Sequence, residues 1–482
     1  MTRRIVGPFN RVEGDLEVTL EIEGGRVAAA FVNAPLYRGF EQILEGKAPL
    51  DALVFVPRIC GICSVAQSAA AARALADAAG IAPPSNGRLA ANLTLAIENL
   101  ADHLTHFYLF FMPDFAAAEY AGASWYAEVS AQFGAQSGQA GRQALAARAR
   151  FMQAMGLLAG KWPHTLAVQP GGTTRPLAES ELFRLQRIVR EFRAFLEARL
   201  FGSPLETIAG LDGQTALERW RRQDRAGDLR FFLELADRLD LWSLGQSGAR
   251  FLSVGAYDEE GGKCLFAPGT WYEGRVLPFD PSQVREDLSH ARYASAQTAQ
   301  RPEEERTVPL YDKPGAYSWC KAPRLGGEIC ETGALARQLV DGQPLVGDIV
   351  GRRGAGVGAR VLARLLEFAR VVPALQRWLD AFDPEGAWCT AAPLAENCLG
   401  KGFVEAARGA LGHWLTVHQG RIGGYQIIAP TTWNFSPRAA DGRPGALEQA
   451  LVGLPVPEQG RVPAVVHHVV RSFDPCMVCT VH

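Results

Sequence analysis

Two pairs of cysteines, each with two residues between its members, stand at opposite ends of the chain. Cys60 and Cys63 form the first pair, and Cys476 and Cys479 form the second. Each pair can direct two thiolates at one metal ion, and four thiolates complete a site for a soft metal. Structural zinc sites usually take their ligands from a few dozen residues. A site shared by these distant pairs therefore predicts one large domain over residues 1–482, built around a central metal, whereas zinc sites or redox disulfides remain alternatives.

Composition limits the classes of protein that this chain can belong to. Its 482 residues are 48% hydrophobic and 21% charged, with a formal net charge of −2. These values are typical of a folded globular protein and give no reason to expect a nucleic-acid partner. No run of about 18 apolar residues is present, and the N-terminus has no secretory signal, so we expect no membrane insertion. Nine cysteines are too few, and odd in number, for a disulfide scaffold, which favours a cytoplasmic location.

The elements that would position the cysteines are mainly helical. The fold class that we expect is α+β, with a central bundle of long helices and peripheral β-hairpins. Alternating apolar and polar residues predict hairpins over 16–32 and 414–428, each with glycine at its turn. Apolar residues at helical spacing predict helices over 64–79, 85–111, 141–160, 177–202, 206–245 and 357–382.

Seven sequence blocks follow one another in order between residues 11 and 482. They are RVEG (11–14), RGFE (38–41), RICGIC (58–63), DHLTHFY (102–108), EAARG (405–409), PTTWN (430–434) and SFDPCMVCTVH (472–482). Together they resemble the large, catalytic subunit of nickel–iron hydrogenases. The resemblance implies the large-subunit fold of that family and the reaction H2 ⇌ 2H+ + 2e−.

The resemblance also implies how the metals are held. Cys60 and Cys476 match the terminal ligands of nickel, and Cys63 and Cys479 match the thiolates that bridge nickel to iron. In this family the iron also carries one carbon monoxide and two cyanides. Soft thiolate ligands are consistent with such a centre.

Heterolytic cleavage of H2 releases a proton that a base must accept. The resemblance offers the Cys476 thiolate and Arg408, and both stay open, although an Arg pKa above ~12 makes a guanidinium a poor base. Asp102 would pair with Arg408 and hold it in place. Glu13 matches the first proton relay, and Thr431 matches the residue that hydrogen-bonds an iron cyanide.

A second metal is implied near the C-terminus. Glu41 and His482 match ligands of a buried Mg2+, with a backbone carbonyl near Ile427 as a third ligand. An imidazole ligand is unusual for Mg2+, which prefers oxygen. Most family members are made with an extension after this histidine. Here the sequence ends at His482, either because the mature form is given or because no extension is encoded.

The remaining cysteines show no iron–sulfur spacing, and we interpret them as buried core thiols. They are Cys264, Cys320, Cys330, Cys389 and Cys398. A chain that splits H2 without its own clusters needs a partner to carry electrons. The resemblance implies an iron–sulfur small subunit in a heterodimer, with a dimer of heterodimers as a further candidate assembly.

Three positions depart from the commonest family pattern. Ile62 and Phe110 stand where Val and Leu are more frequent, and Gln67 stands where a His is expected. Larger side chains at Ile62 and Phe110 would narrow a gas channel and hinder O2, with ordinary core packing as the alternative explanation for each residue. With the absent extension, these features resemble the regulatory, H2-sensing subgroup, which signals to a histidine kinase. The alternatives are an energy-conserving uptake hydrogenase and, from another class, a structural four-cysteine zinc protein.

Overall fold

Long apolar helices form the centre of the protein, as the sequence predicts. The computed structural model describes residues 2–223, 226–294 and 298–482. Its α-helices are α1 Phe40–Leu44, α2 Ala52–Phe55, α3 Ser64–Ala79, α4 Ser85–Thr105, α5 Tyr126–Phe133, α6 Gln139–Phe151, α7 Gln153–Ala159, α8 Glu179–Phe195, α9 Leu205–Ala209, α10 Gln214–Arg221, α11 Asp228–Arg238, α12 Ala334–Val340, α13 Pro344–Arg353, α14 Val357–Asp380, α15 Pro430–Asn434, α16 Ala446–Leu451 and α17 Ala464–Ser472.

In the described part of the chain, the β-strands form five small sheets around these helices. The strands are β1 Thr2–Val6, β2 Glu17–Glu23, β3 Arg26–Asn33, β4 Val168–Gln169, β5 Gly172–Thr173, β6 Arg250–Asp258, β7 Cys264–Tyr272, β8 Arg275–Leu277, β9 Val284–Asp287, β10 Ala322–Leu325, β11 Cys330–Thr332, β12 Cys398–Ala406, β13 Gly409–His418 and β14 Arg421–Ile428. Their orders are β1-β2-β3, β4-β5, β11-β6-β7-β8, β10-β9 and β12-β13-β14. All pairs are antiparallel except β11 with β6.

Helix α3 lies directly against the β12–β14 sheet, and small residues make this approach close. The helix is rich in alanine, a strong helix former with a short side chain. A Cβ atom at Gly400 or Gly402 of β12 would lie 2.0 Å from a carbonyl oxygen of α3. The sheet that leads to Arg408 is therefore fixed against the helix that begins immediately after Cys63.

Helices α4 and α14 pack together in the core, and most of their residues are buried. The sequence predicts one helix from 85 to 111, but α4 ends at Thr105 and continues as a π-helical turn over His106–Phe111. A 3-10 turn over Met112–Ala116 follows, and Pro113 disfavours a continued α-helix there because it lacks the backbone N–H that a helical hydrogen bond needs. Such π-helical turns are frequent at functional sites.

Several other boundaries differ from the sequence-based expectation. The predicted helix over 141–160 is divided into α6 and α7 at Met152, and the predicted helix over 206–245 is three shorter helices, α9 to α11. Both predicted hairpins are confirmed, and each gains a third strand, β1 or β12. The main hydrophobic core includes Val6 and Val481 and so joins both chain ends. The single-domain organisation stays a prediction.

Among the described residues, none of the helices has the length and apolarity needed to cross a lipid bilayer.

Candidate metal centre

The four cysteines of the two pairs meet in the interior of the protein. Their Sγ atoms all lie within 4.8 Å of one another, and all four residues are buried. The Sγ–Sγ distance is 3.4 Å between Cys60 and Cys476, 3.3 Å between Cys63 and Cys479, and 2.9 Å between Cys476 and Cys479. Thiols from the two ends of the chain thus form one compact donor set.

Each pair lies in a short turn that the surrounding backbone supports. The first pair follows a 3-10 turn over Val56–Arg58, and Cys63 is the N-cap residue of α3. The second pair runs beside Glu13, whose carbonyl oxygen accepts a hydrogen bond from the backbone N–H of Met477 at 2.7 Å. The N-terminal loop and the C-terminal segment therefore support each other.

Arg38 joins the two cysteine loops directly. Its guanidinium donates to the carbonyl oxygens of Ile59 and Arg58 beside the first pair, and to that of Val478 inside the second pair. Its backbone N–H also donates to the carbonyl oxygen of Val481 at 3.1 Å. Sequence reasoning did not assign Arg38 a role, and its only signal was its place in the block at 38–41.

The four thiols share their protons unequally. Hydrogen bonds from the other three thiols hold the pKa of Cys60 well below its ordinary value. Burial raises the pKa of Cys476 and of Cys479. A metal that binds all four sulfurs as thiolates must therefore displace protons. Four buried soft donors in this arrangement fit a thiolate-bound metal centre.

Arg408 is held beside the cysteines by two carboxylates. Its guanidinium donates to Asp102 at 2.6 and 3.3 Å, and to the side chain and backbone oxygens of Asp474 at 3.1 and 3.0 Å. Burial alone would lower its pKa, but Asp102, Asp474 and nearby thiols raise the pKa of Arg408 well above its ordinary value. The predicted pairing with Asp102 is present.

Asp474 is a further residue of this site that the sequence reasoning missed. It lies two residues before Cys476 and has a left-handed backbone conformation, with φ at 57°. Residues with side chains rarely adopt that conformation, and such strain is concentrated at functional sites. Its membership of the block at 472–482 was the only signal in the sequence.

Glu13 and Thr431 also lie at the cysteines. Burial, together with the negative charge of Cys60, raises the pKa of the Glu13 carboxyl. The Thr431 hydroxyl accepts a hydrogen bond from the backbone N–H of Cys476 at 3.2 Å. Both residues therefore have the placement that the sequence predicts, whereas their roles in the reaction stay predictions.

The residues expected to bind Mg2+ lie close together but are not arranged as three ligands. A Glu41 carboxylate oxygen accepts the backbone N–H of Ile427 at 2.9 Å, whereas the prediction used a backbone carbonyl there. The other Glu41 oxygen lies 3.0 Å from the ammonium group of Lys321. Among the described residues, neither ring nitrogen of the buried His482 has a hydrogen-bond partner. Within the described ranges, the four cysteines are the only group of three or more Cys, His, Asp or Glu side chains whose ligand atoms converge.

The charge around Lys321 nevertheless suits a divalent cation. Glu41, Glu286 and Glu305 surround this single ammonium group at 3.0, 3.5 and 3.8 Å. Within the described residues, the carboxylate oxygens of Glu286 and Glu305 have no regular hydrogen-bond donor besides their ion pairs with Lys321. Three carboxyl groups and one ammonium leave negative charge uncompensated whenever all three carboxyls are ionised. Mg2+ binding by Glu41 and His482 stays a prediction.

The three residues that depart from the family pattern lie in the first cysteine loop, on α3 and in the π-helical turn after α4. Ile62 is partly buried between the first two cysteines, and Phe110 is partly buried in the π-helical turn. Arg11 donates to the carbonyl oxygen of Phe110 at 3.0 Å. Gln67 bonds His413 Nε2 at 2.9 Å, where the common pattern has a His. The gas-filter function of Ile62 and Phe110 stays a prediction.

The remaining cysteines differ from one another. Cys320 and Cys330 are buried, as expected for core thiols, and Cys264 and Cys398 are partly buried. The interpretation is wrong for Cys389, which is exposed because it lies in the loop that follows α14.

Comparison with known proteins gives consistent matches over the whole chain. The model of the family described as nickel-dependent hydrogenase matches residues 38–133 and 232–482. The periplasmic [NiFeSe] hydrogenase large subunit of Desulfomicrobium baculatum is 30% identical, over 99% of this chain and 94% of that protein. The uptake hydrogenase large subunit of Rubrivivax gelatinosus is 27% identical, over 100% of this chain and 95% of that protein.

Solved structures show the same similarity. The H2-activated [NiFeSe]-hydrogenase of D. baculatum superposes with a TM-score of 0.86 at 28% identity, covering 100% of this chain and 99% of that chain. The reduced Ni-Fe-Se hydrogenase of D. vulgaris Hildenborough gives a TM-score of 0.85 at 30% identity, with both chains fully covered. The α+β large-subunit fold expected from the sequence is confirmed.

Proposed function

The chain belongs to the nickel-dependent hydrogenase family, and from this premise we propose how its residues take part in H2 oxidation. It is a hydrogenase large subunit that holds a nickel–iron centre. The observation that carries the residue assignment is the convergence of four buried Sγ atoms within 4.8 Å. Cys60 and Cys476 would hold nickel, and Cys63 and Cys479 would bind both nickel and an iron that carries one carbon monoxide and two cyanides.

The bound centre supplies the Lewis-acidic metals that polarise H2 for heterolytic cleavage. The protein contributes a fixed cation beside it. Because Asp102 and Asp474 keep Arg408 protonated, we assign Arg408 an electrostatic role and assign proton acceptance to the thiolate of Cys476. Removal of water from this buried site strengthens the effect of the guanidinium charge.

Glu13 is the next proton carrier in this proposal. The backbone at Glu13 pairs with the backbone at Cys476 in an isolated parallel β-bridge, and burial raises the pKa of the Glu13 carboxyl. A carboxyl group with a raised pKa can take up and release a proton more readily near neutral pH than an ordinary one. The proton therefore passes from the Cys476 sulfur to Glu13 and then outward.

Electrons must leave by another route. Within the part of the chain that the structure describes, no second cluster of metal-binding side chains converges. The relatives are named as large subunits or large chains. We infer that this chain pairs with a smaller iron–sulfur subunit, which holds the clusters that accept the electrons.

Two physiological roles follow from different observations. Ile62, Phe110 and Gln67 support H2 sensing, with a histidine kinase as the signalling partner. Similarity to an uptake hydrogenase large subunit supports the second role, energy-conserving H2 uptake. Slow H2 oxidation that persists in air is expected of the sensor, whereas fast turnover is expected of the uptake enzyme.

Metal analysis of the purified complex tests the proposed centre. We expect nickel and iron in the same sample, with infrared bands of carbon monoxide and cyanide that no protein group produces. Cys479→Ser should lose these bands, because it removes a shared thiolate. Cys330→Ser, which changes a buried cysteine outside the cluster, should keep them. Zinc without nickel and iron would refute the proposal.

A further inference from the structure

Arg337 is a buried arginine whose charged guanidinium lies against the backbone that precedes Arg408. It lies on α12 and is 1% exposed. Its Nε and Nη2 donate to the two carboxylate oxygens of Glu367 at 2.7 and 3.0 Å. Its Nη1 donates to Glu405 at 2.7 Å. Two carboxylates therefore compensate this charge in the core.

The other donors of Arg337 reach the backbone immediately before Arg408. Nη1 donates to the carbonyl oxygen of Ala406 at 2.9 Å, and Nη2 donates to that of Ala407 at 3.2 Å. A guanidinium has five N–H donors in a rigid planar fork, and here all five are used. The turn between β12 and β13 is thus attached to one stiff side chain.

Close packing leaves this turn little room to move. Gly409 has a φ of +126°, and a Cβ atom there would lie 2.4 Å from the Thr332 hydroxyl. A Cβ atom at Gly333 would lie 3.3 Å from the carbonyl oxygen of Arg408. The segment that leads into α12 therefore supports the same turn that Arg337 holds.

The same network also reaches the partner of the Arg408 side chain. His103 Nε2 lies 2.8 Å from the Glu367 carboxylate. His103 directly follows Asp102, which accepts hydrogen bonds from Arg408. Glu367 thus bonds both Arg337, which holds the backbone turn of Arg408, and His103, which is the neighbour of the Arg408 partner Asp102.

We propose that Arg337 is a positioning residue for H2 cleavage, which sets the location of Arg408 by fixing the carbonyl groups of Ala406 and Ala407. The inference rests on the proposed function of Arg408. A displacement of about 1 Å at a reacting group can reduce a rate about 100-fold, so a small shift of this turn is measurable as turnover.

Arg337→Lys in the assembled enzyme tests this inference. A lysine can keep the ion pair with Glu367, but one ammonium group cannot also reach Glu405 and both carbonyls. We expect kcat per bound nickel to fall at least tenfold, with KM for H2 unchanged. In the Arg408→Lys background the same change should cause no further loss, because the two residues act through one group.

A second variant and a control complete the test. Arg370→Lys disturbs an ion pair with Asp341 that joins the same helices, α12 and α14, at 2.8 Å, and should keep the wild-type kcat per nickel. If Arg337→Lys yields no nickel-loaded enzyme, Glu405→Gln replaces it in the same cycle. In the wild type, one Glu405 carboxylate oxygen accepts from Arg337 and the other accepts from the backbone N–H of Val254. A glutamine side chain has a single oxygen, so it cannot accept both hydrogen bonds in this way.

The outcomes separate the two proposals. Losses that multiply in the double variant, or wild-type kcat per nickel in the single Arg337 variant, would overturn the positioning role alone. Wild-type kcat in the single Arg408→Lys variant would overturn the proposed function of Arg408 and, with it, this inference.

Discussion

At the scale of single residues, the position of a charge matters as much as its presence. Arg408 makes four hydrogen bonds to two aspartates, and a planar guanidinium is required to make them together. Arg408→Lys keeps a positive charge but loses this geometry. We expect H2 oxidation to fall about 100-fold, as for the loss of one electrostatic donor in an active site.

Three measurements check this prediction. The nickel content and the infrared bands of the variant should equal those of the wild-type enzyme, because no metal ligand has changed. H2 oxidation is then compared per bound nickel. A variant that turns over as fast as the wild type would show that the fixed guanidinium has no part in the reaction.

The buried His413 predicts a pH dependence of stability. Burial lowers its pKa to about 3, from 6.5 in the unfolded chain. Below pH 6.5 the unfolded chain therefore binds a proton that the folded protein does not, so acid favours unfolding. Relative to His413→Gln, the wild type should lose up to about 1.4 kcal/mol of unfolding free energy per pH unit between pH 6.5 and 4.

Denaturant titrations at several pH values measure this difference. His418→Gln is the matched control, since His418 is exposed at the end of the same strand. Its free energy of unfolding should follow that of the wild type at every pH. A difference between wild type and His413→Gln that is constant from pH 7 to 4 would show that His413 is not held neutral.

At the scale of elements, the π-helical turn over His106–Phe111 is the feature that places a predicted gas-filter residue. Arg11 holds the carbonyl of Phe110 and also pairs with Asp114 in the 3-10 turn that follows, so one side chain fixes the C-terminal end of the π-helical turn. Phe110 is thereby held in a defined place, and Ile62 is held by the cysteine loop in which it lies.

Replacing Ile62 by Val and Phe110 by Leu should therefore widen the route to the metals. We expect the double variant to lose H2-oxidation activity faster in air. Its rate without O2 should change little, because H2 already passes the wild-type side chains. The control is Leu145→Val on α6, an exposed apolar residue outside this route. Equal activity in air for the double variant and the wild type would contradict the gas-filter role.

Periodicity in the sequence predicts helices and strands that bury one face. It fails where a local feature, such as a π-helical turn or a glycine-rich strand, changes the pattern. Helix α3 has the predicted bounds because alanines continue to Ala79 and Gly80 ends it in a left-handed conformation. The helix expected to reach 111 changes at His106, since apolar spacing does not distinguish an α-helix from a π-helical turn. Strand β12 was missed because its glycines, required for contact with α3, weaken a strand pattern.

At the scale of the whole molecule, the site depends on contacts between residues more than 400 positions apart. The spacing of the cysteines predicted that both ends would meet, and the blocks identified the residues around them. The sequence could not show Arg38, Asp474 or Arg337 as members of the site. Their functions depend on which carbonyls and carboxylates the fold brings within reach, and no local pattern records those distances.

Arg38 provides the test at this scale, because one guanidinium bonds both cysteine loops. Hydrogen bonds to charged groups contribute about 1.5–3 kcal/mol each, so Arg38→Met should weaken the closed arrangement at least tenfold. We expect a matching fall in nickel content and faster amide exchange over residues 476–482.

Arg4→Met is the matched control, since Arg4 joins β1 to the carbonyls of Pro457 and Gly460, away from the cysteines. That control should keep its nickel. If the Arg38 variant also keeps wild-type nickel and exchange rates, the two ends are held together without this bridge, and metal binding alone must account for their meeting.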